Sequence, residues 1–292
     1  MYFAQQIYKF ADLHTHTTFS DGTFTPAELV AYASKQDISV LAVTDHDSVS
    51  GIDEAVSVGF AKGVEIIPGI ELNTDIKDTD LHILGYFIDY KNPEFISRLN
   101  EIKAARVERM RQMVIKINNI GFKDLTLEDI YEEYRKCNQD ASSGEVSLGR
   151  PHLARAMVRK NIVEDERAAF DRYIGNGKPC YVEVLHKMFP VDAVKFVREF
   201  GGIPVIAHPG LSKRDDLMPD LVKAGLCGIE VFHSSHDKSA ISHYEKMAKD
   251  YNLIMTGGSD CHGPKNNSHP LCGCVKLPLF RVDELKALKN KI

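Results

Sequence analysis

Apolar runs of strand length recur through this chain, and imidazoles and carboxylates gather where those runs end. The segments are Asp12-Leu-His-Thr-His-Thr17, Thr44-Asp-His-Asp47, Pro68-Gly-Ile-Glu71, Ala207-His-Pro-Gly210 and Gly258-Ser-Asp-Cys-His262. Short apolar strands separated by helices predict parallel β/α units with both sheet faces covered. Repeated units of this size favour a barrel, whose site forms at the C-terminal strand ends. Fold and chemistry are therefore constrained by the same five segments.

Phe10–His14 reads as a short strand. Thr25-Pro26-Ala27-Glu28 then supplies an N-cap, a proline at N1 and a Glu at N3, starting a helix that runs to about Lys35. Strand Ile38–Thr44, helix Ile52–Lys62 and strands Val64–Ile70 and Leu81–Ile88 continue the alternation. After Tyr90 it stops. Pro93–Asn119 is one long helical segment in which Leu99, Ile102, Met110, Met113, Val114 and Ile117 recur at helical spacing. Further helices are expected near Leu127–Lys136, Pro151–Arg159 and Glu164–Tyr173, with a polar loop at Asn138–Gly149. The rhythm returns with helix Val191–Phe200, strand Ile203–Ala207, helix Asp216–Ala224, strand Gly228–Phe232, helix Lys238–Asp250 and strand Leu253–Thr256. The expected division is a first barrel part at 1–92, a helical insertion domain at 93–187 and a second barrel part at 188–292.

At 292 residues and 43% hydrophobic, the chain can bury a large core. A formal charge of −5 gives no sign of a broadly nucleic-acid-binding surface. Three divalent ions would add about six positive charges locally, so a small anionic substrate is compatible with it. Met1–Lys9 lacks the charged region and apolar run of a secretory signal, and no stretch approaches the roughly 20 apolar residues of a membrane span. Six cysteines without C-x-x-C spacing read as reduced thiols, Cys272-Gly-Cys274 included, in a cytoplasmic protein.

Residues two apart on a strand face one side, roughly 6.5–7 Å from each other. His14 and His16 can thus grip one ion, with Asp12 on the same face to orient them. Each motif alone has a plainer explanation. His-x-His arises by chance, Asp45-His46-Asp47 suits a charged turn, Glu71 can cap an element, and His208 or Asp260-x-His262 can be satisfied locally. That explanation must hold separately at every strand end. Together His14, His16, Asp21, His46, Glu71, His82, His208, Asp260 and His262 read as one multinuclear metal site. Nitrogen and carboxylate donors without thiolates suit manganese, iron or zinc. Cys261 alternates away from its neighbours. Such centres mostly hydrolyse phosphate esters or amides.

The order His-x-His, Ser-Asp-Gly, Thr-Asp-His-Asp, Pro-Gly-Glu-like, His, Ala-His-Pro and Ser-Asp-x-His resembles the PHP (polymerase and histidinol phosphatase) family over about residues 9–90 and 200–265, with Pro68-Gly69-Ile70-Glu71 a small variation that leaves Glu71 in place. The resemblance implies an α/β fold, a distorted (β/α)7 TIM-like barrel with an inserted helical domain, and three divalent ions, expected to be Mn2+ with Fe2+ or Zn2+ as alternatives. By position it assigns His14, His16, Glu71 and Asp260 to the first ion. Glu71, His82 and His208 go to the second, and Asp21, His46 and His262 to the third. A nearer resemblance is to the branch acting on nucleoside 3′,5′-bisphosphates and short 5′-phosphorylated RNA. It rests on the helical insertion, Gly149–His152, Gly177–Val182 and Glu230–His236.

Arg150 is the expected phosphate grip, because a guanidinium binds phosphate oxygens as a fork. His152 and His236 are further candidate contacts, and His233 is read as structural. Arg106 is read as a side chain at the edge of the packed helix face, its charge reaching water. Lys103, Arg109, Arg111 and Lys116 read as a solvated face, while Lys178 and Lys187 could line an anion funnel. No basic stripe with regular aromatics supports extended or duplex nucleic-acid binding. The expected reaction is phosphomonoester hydrolysis by a hydroxide shared between metals. Arg150 neutralises the phosphate, and His208, His236 or a water protonates the leaving group. The rivals are a histidinol-phosphate phosphatase, an amidohydrolase and a non-catalytic metal-binding module. Oligomeric state is left open.

Overall fold

Thr25 starts the first helix as its sequence requires. In the computed structural model, which describes residues 9–76, 79–136, 146–183, 188–264 and 269–291, Thr25 Oγ1 accepts the Glu28 N–H at 3.2 Å. The Glu28 carboxylate accepts the Thr25 N–H at 2.9 Å, closing a capping box. The strands are β1 Phe10–Asp12, β2 Ile38–Val43, β3 Glu65–Ile76, β4 Thr79–Tyr86, β5 Ile203–Ile206, β6 Gly228–His233, β7 Ile254–Gly258 and β8 Leu277–Pro278. The helices are α1 Pro26–Ala33, α2 Ile52–Lys62, α3 Pro93–Asn119, α4 Leu127–Arg135, α5 Arg150–Arg159, α6 Glu166–Ala169, α7 Pro190–Glu199, α8 Pro209–Ser212, α9 Met218–Ala224, α10 Lys238–Asp250 and α11 Leu279–Lys289. A π-helical turn, Phe170–Ile174, extends α6. No helix among the described residues is long and apolar enough to cross a membrane.

The sheet runs β7-β6-β5-β4-β3-β2-β1-β8 and curls into a nearly closed barrel with helices outside. At the seam between β1 and β7, Leu13 N donates to Gly257 O, Asp260 N to His14 O and His16 N to Cys261 O, at 3.1, 2.8 and 2.9 Å. The period-two side-chain alternation sorts the strands into two faces. Val40 and Ala42, Leu84 and Tyr86, and Ile203 and Val205 meet in one cluster inside the barrel. Their neighbours Leu41 and Val43 pack with Leu29, Val30 and Ala33 of α1. Ile83 and Ile206 pack outward with Phe95 of α3 and Val197 of α7.

Two features differ from the sequence reading. The β3–β4 and β4–β5 pairs are antiparallel, whereas β1–β2–β3 and β5–β6–β7 are parallel as expected. A parallel crossover needs a dozen or more residues. The ten between the expected strands fall short of that, and the described ones extend β3 to Ile76 and begin β4 at Thr79. The second difference is at the end of the chain, where β8 and α11 were not anticipated; β8 pairs antiparallel with the start of β1.

α3 belongs to two cores. Its first turns contribute Phe95 and Leu99 to the barrel cluster that includes Phe196 of α7. Its second half gives Met110, Met113, Val114 and Ile117 to a separate core with Ile130, Tyr134, Leu153 and Met157. A helix of 27 residues spans about 40 Å, long enough to serve both. Of the expected loop Asn138–Gly149, the part before Val146 lies outside the described residues, as do Cys137 and Lys187.

Candidate metal centre and anion pocket

The parity that points Ile67 of β3 into the core points Glu71 into the barrel mouth four residues later, and on β4 the parity of Leu84 and Tyr86 does the same for His82. His82 therefore lies near the start of its strand, not at its C-terminal end, because antiparallel β4 presents its first residues to the mouth. Five imidazoles surround the buried Glu71 carboxylate. Oε2 lies 3.2 Å from His14 Nε2, 3.2 Å from His16 Nε2 and 3.1 Å from His46 Nδ1. Oε1 lies 2.8 Å from His82 Nδ1 and 3.0 Å from His208 Nε2. Asp260 Oδ1 stands 3.1 Å from His16 Nε2, and Asp21 Oδ1 stands 3.3 Å from His262 Nε2. All nine residues expected at the site are thus brought together.

The residues fit divalent ions. His14 Nε2, His16 Nε2, Asp21 Oδ1, Glu71 Oε2 and His208 Nδ1 are buried and make no hydrogen bond. Buried polar atoms normally have partners, and this many orphans in one cluster are what a divalent-cation site would satisfy. Among the described residues, candidate donor sets lie within 4.8 Å of one another in four groups: His14, His16, Glu71 and Asp260; His16, Asp21, His46 and His262; His46, Glu71 and His82; and His14, Glu230 and His233. The first coincides with the set assigned by resemblance. In the second and third His46 reaches toward both sides, and His208 joins through Glu71.

The electrostatics follow from packing carboxylates against imidazoles away from water. Burial resists ionisation of His16, yet Asp260 and Glu71 raise its pKa to about 10. Burial likewise opposes ionisation of Glu71, but His46, His14 and His82 hold its carboxyl well below the usual range. His262 and His46 do the same for Asp21. Protons and divalent cations compete for these positions, so metal loading releases protons.

The supporting groups differ from those expected. Asp12 does not touch the imidazoles. It accepts Ser259 N–H at 2.8 Å and Gly273 N–H at 3.0 Å, tying the seam together. Glu230 of β6 orients His14, its oxygens lying 3.0 and 3.1 Å from Nδ1, and Oε2 also accepts His208 N–H at 2.7 Å. That bond restrains a backbone held at φ +27° immediately before Pro209. Asp45 accepts from Thr17 N, Thr17 Oγ1 and Ser20 Oγ at 2.6–2.7 Å, fixing the turn between His16 and Asp21. The acidic residues beside ligands were visible in the sequence; the groups they face were not.

A cavity of about 180 Å³ opens beside Asp21, His46 and His82 and runs under the inserted helices. Its other wall carries Arg106, Arg109 and Arg150, with Ile102, Met110, Phe170 and Met188. Arg150 donates to Asp80 Oδ2 at 2.6 Å and Asn176 Oδ1 at 2.9 Å, and its guanidinium lies 5.6 and 5.7 Å from the Phe170 and Tyr181 rings. Arg106 corrects the sequence reading. It points into the cavity, donating from Nε to Leu148 O at 2.8 Å and from NH1 to Asp47. Arg109, read as solvated, donates to Val182 O, and Lys103 is buried. Helical spacing identifies the packed stripe of α3 but not what covers its flanks.

Two other expected contacts have local work. His152 is buried, is not among the cavity lining, and its Nδ1 accepts the Gly149 N–H at 3.0 Å. Burial, with Arg155 beside it, pushes its pKa down to about 3. His236 donates from Nδ1 to Val231 O at 2.9 Å and accepts the Gly210 N–H on Nε2 at 3.1 Å. Both its ring nitrogens are engaged, Nδ1 by β6 and Nε2 by α8. Lys178 is exposed outside the cavity lining. Ser147, within the expected loop, donates to His46 O at 2.8 Å, and Arg155 NH2 donates to Asp21 O at 2.7 Å.

A β/α barrel with this donor set at its mouth and arginines facing it defines a metal-dependent hydrolase of anionic esters. Residues 12–175 match the PHP-domain family, and the chain belongs to it. It is 33% identical over 272 residues to a 5′-3′ exoribonuclease of Haemophilus influenzae, covering 91% of this chain and 92% of the relative. It is 32% identical over 273 residues to a 3′,5′-nucleoside bisphosphate phosphatase of Chromobacterium violaceum, covering 91% and 92%. A phosphoribosyl 1,2-cyclic phosphate 1,2-diphosphodiesterase of Eggerthella lenta is 32% identical over 255 residues, covering 86% and 94%. A solved structure described as a metal-dependent phosphoesterase from Bifidobacterium adolescentis superposes with a TM-score of 0.83 at 29% identity, covering 96% of each chain. The protein is a metal-dependent phosphoesterase of the PHP family.

Proposed function

We propose that this enzyme removes the 3′-phosphate of nucleoside 3′,5′-bisphosphates and also acts on short 5′-phosphorylated RNA. The observation that carries this reading is the two-ended cavity, with candidate ligands His46, His82 and Asp21 at one end and Arg106, Arg109 and Arg150 at the other. A substrate with two separated phosphates matches both ends, while the apolar wall of Ile102, Met110, Phe170 and Met188 suits a base or ribose. The names of the Haemophilus and Chromobacterium relatives support the same class. Histidinol phosphate, with one phosphate and a cationic amine, leaves the arginine end without a partner.

In this reading the nine residues would hold three divalent ions, most simply Mn2+. Such ions supply Lewis acidity and lower the pKa of water to near neutrality. The chain's own residues hold the substrate. Arg150, braced by Asp80 and Asn176, presents its remaining N–H groups to a phosphate without having to order a mobile side chain. Arg106 is braced likewise by Asp47 and Leu148 O. His208 acts as a ligand rather than an acid, and His236 carries no free ring nitrogen for proton transfer. In this reading 93–187 is an insertion domain, and its described residues Ile102, Arg106, Arg109, Met110, Arg150 and Phe170 line the cavity wall opposite the candidate ligands. The free thiols among the described cysteines are consistent with a cytoplasmic protein.

The test compares phosphate release by manganese-loaded protein from adenosine 3′,5′-bisphosphate and adenosine 3′-monophosphate, with Arg150→Lys alongside. Charge-assisted bonds to one phosphate contribute about 1.5–3 kcal/mol. The bisphosphate should therefore lead by roughly tenfold or more in kcat/KM, and Arg150→Lys should erase most of that lead through KM. Equal rates on the two substrates, or no 3′-phosphate release, would overturn the reading.

A further inference from the structure

His233, at the end of β6, was read as structural and lies outside the nine-ligand set, yet it stands in the wall of the centre. Only 5% of it is exposed. Its ring lies 5.3 Å from that of His208 and 6.1 Å from that of His14. Its Nε2 is buried without a hydrogen bond, and Asp260 Oδ2 lies 3.6 Å away. That is a few tenths of an ångström beyond hydrogen-bond length.

Which proton the ring carries follows from its other nitrogen. Nδ1 accepts the backbone N–H of Ser235 at 3.1 Å and lies 2.7 Å from Ser235 Oγ. A nitrogen that accepts a backbone N–H carries no hydrogen, so in the neutral ring the hydrogen sits on Nε2. His14 has the opposite arrangement. Its Nδ1 faces the Glu230 carboxylate and donates, which leaves a lone pair on Nε2 for a cation. His233 therefore offers an N–H toward the centre where His14 offers a lone pair. It is built as a donor, not as a tenth ligand.

Asp260 is the carboxylate that receives it. Its Oδ1 faces His16 Nε2 at 3.1 Å, His14 Nε2 at 3.5 Å and His262 Nδ1 at 3.5 Å, while Oδ2 faces His233. Its backbone is held in the left-handed region at φ +55°. We propose that His233 is a positioning residue whose Nε2–H, set by the Ser235 turn, holds Asp260 Oδ2 and so reserves Oδ1 for the metal. This rests on Asp260 being a ligand. The pairing fixes the rotation of a carboxylate that could otherwise turn both oxygens toward the cation, and it excludes His233 itself from coordination.

The test titrates metal-free protein with Mn2+ by calorimetry for the wild type, His233→Leu, His233→Gln and Asp260→Asn. Losing an outer hydrogen bond to a ligand typically costs about 10–100-fold in metal affinity. His233→Leu should weaken one class of site by that factor without lowering the stoichiometry. His233→Gln, which keeps a donor, should recover most of the loss. Unchanged affinity in His233→Leu overturns the proposal. So does loss of one metal equivalent in both His233 variants, which would make His233 a ligand. Unchanged binding in Asp260→Asn would instead overturn the ligand assignment beneath it. Should His233→Leu fail to fold, imidazole nitrogen NMR on zinc-loaded wild-type protein decides. A protonated Nε2 with bare Nδ1 supports the proposal, and the reverse tautomer overturns it.

Discussion

Replacing one buried oxygen of Glu230 tests how the centre is braced. The carboxylate is fully buried, with both oxygens near His14 Nδ1 at 3.0 and 3.1 Å and Oε2 accepting His208 N–H at 2.7 Å. Both partners donate, so both oxygens must accept. Glu230→Gln keeps the shape but turns one oxygen into an NH2. At the Oε2 position that group meets the His208 N–H; at the Oε1 position it meets the His14 Nδ1–H. Either orientation buries a donor against a donor, which costs about 1–3 kcal/mol. The neutral amide also loses the charge that holds the His14 ring. Because these two bonds orient the ring of one candidate ligand and the strained backbone of another, the cost is expected to fall on metal binding. Calorimetric titration with Mn2+ should show affinity lowered roughly 10–100-fold. Circular dichroism should show the metal-free fold retained. Wild-type affinity in the variant would refute the reasoning, as would an affinity loss fully accounted for by unfolding of the metal-free protein.

Two further outcomes follow from the geometry. A Cβ at Gly258 would lie 2.3 Å from His14 Cβ and 2.4 Å from His14 N, so Gly258→Ala must open the β1–β7 seam. It should lower stability by about 1–3 kcal/mol in urea unfolding and weaken Mn2+ binding with it, and an unchanged midpoint would show that the seam yields freely. His152 sets a pH dependence. Its pKa is depressed to about 3 when folded, so below about 6.5 the unfolded chain takes up a proton that the folded one refuses. Its contribution is complete above that pH and is lost as pH falls toward 3, amounting to about 2 kcal/mol between pH 7 and 5. Against His152→Gln, which keeps a side chain able to accept the Gly149 N–H, the wild type should lose that much more stability on acidification. Parallel pH curves would contradict it.

Local patterns carried much of the architecture. Apolar spacing defines α3 because a 3.6-residue period is a property of the segment itself, and Thr25-x-x-Glu28 closes its capping box with nothing outside four residues. The nine candidate ligands were legible for a related reason. Imidazoles and carboxylates recurring near predicted strand ends have no common explanation except a common site, and the barrel brings them together, His82 from the start of the reversed β4. The reversal of β4 was not legible, since a polar ten-residue stretch can be a loop or the two arms of a hairpin until β5 arrives to pair with it.

The partners of the polar side chains were decided only in three dimensions. Arg106 meets Asp47 across 59 positions, Arg150 meets Asp80 across 70, and His14 meets Glu230 across 216. His236 and His233 sit three residues apart, yet one has both nitrogens bonded and the other aims an N–H at Asp260. Sequence determines which face of an element a side chain leaves from, because that is set by backbone period. Which atom it then meets, and therefore which proton it carries, depends on the segment folded against it, and only the tertiary structure supplies that.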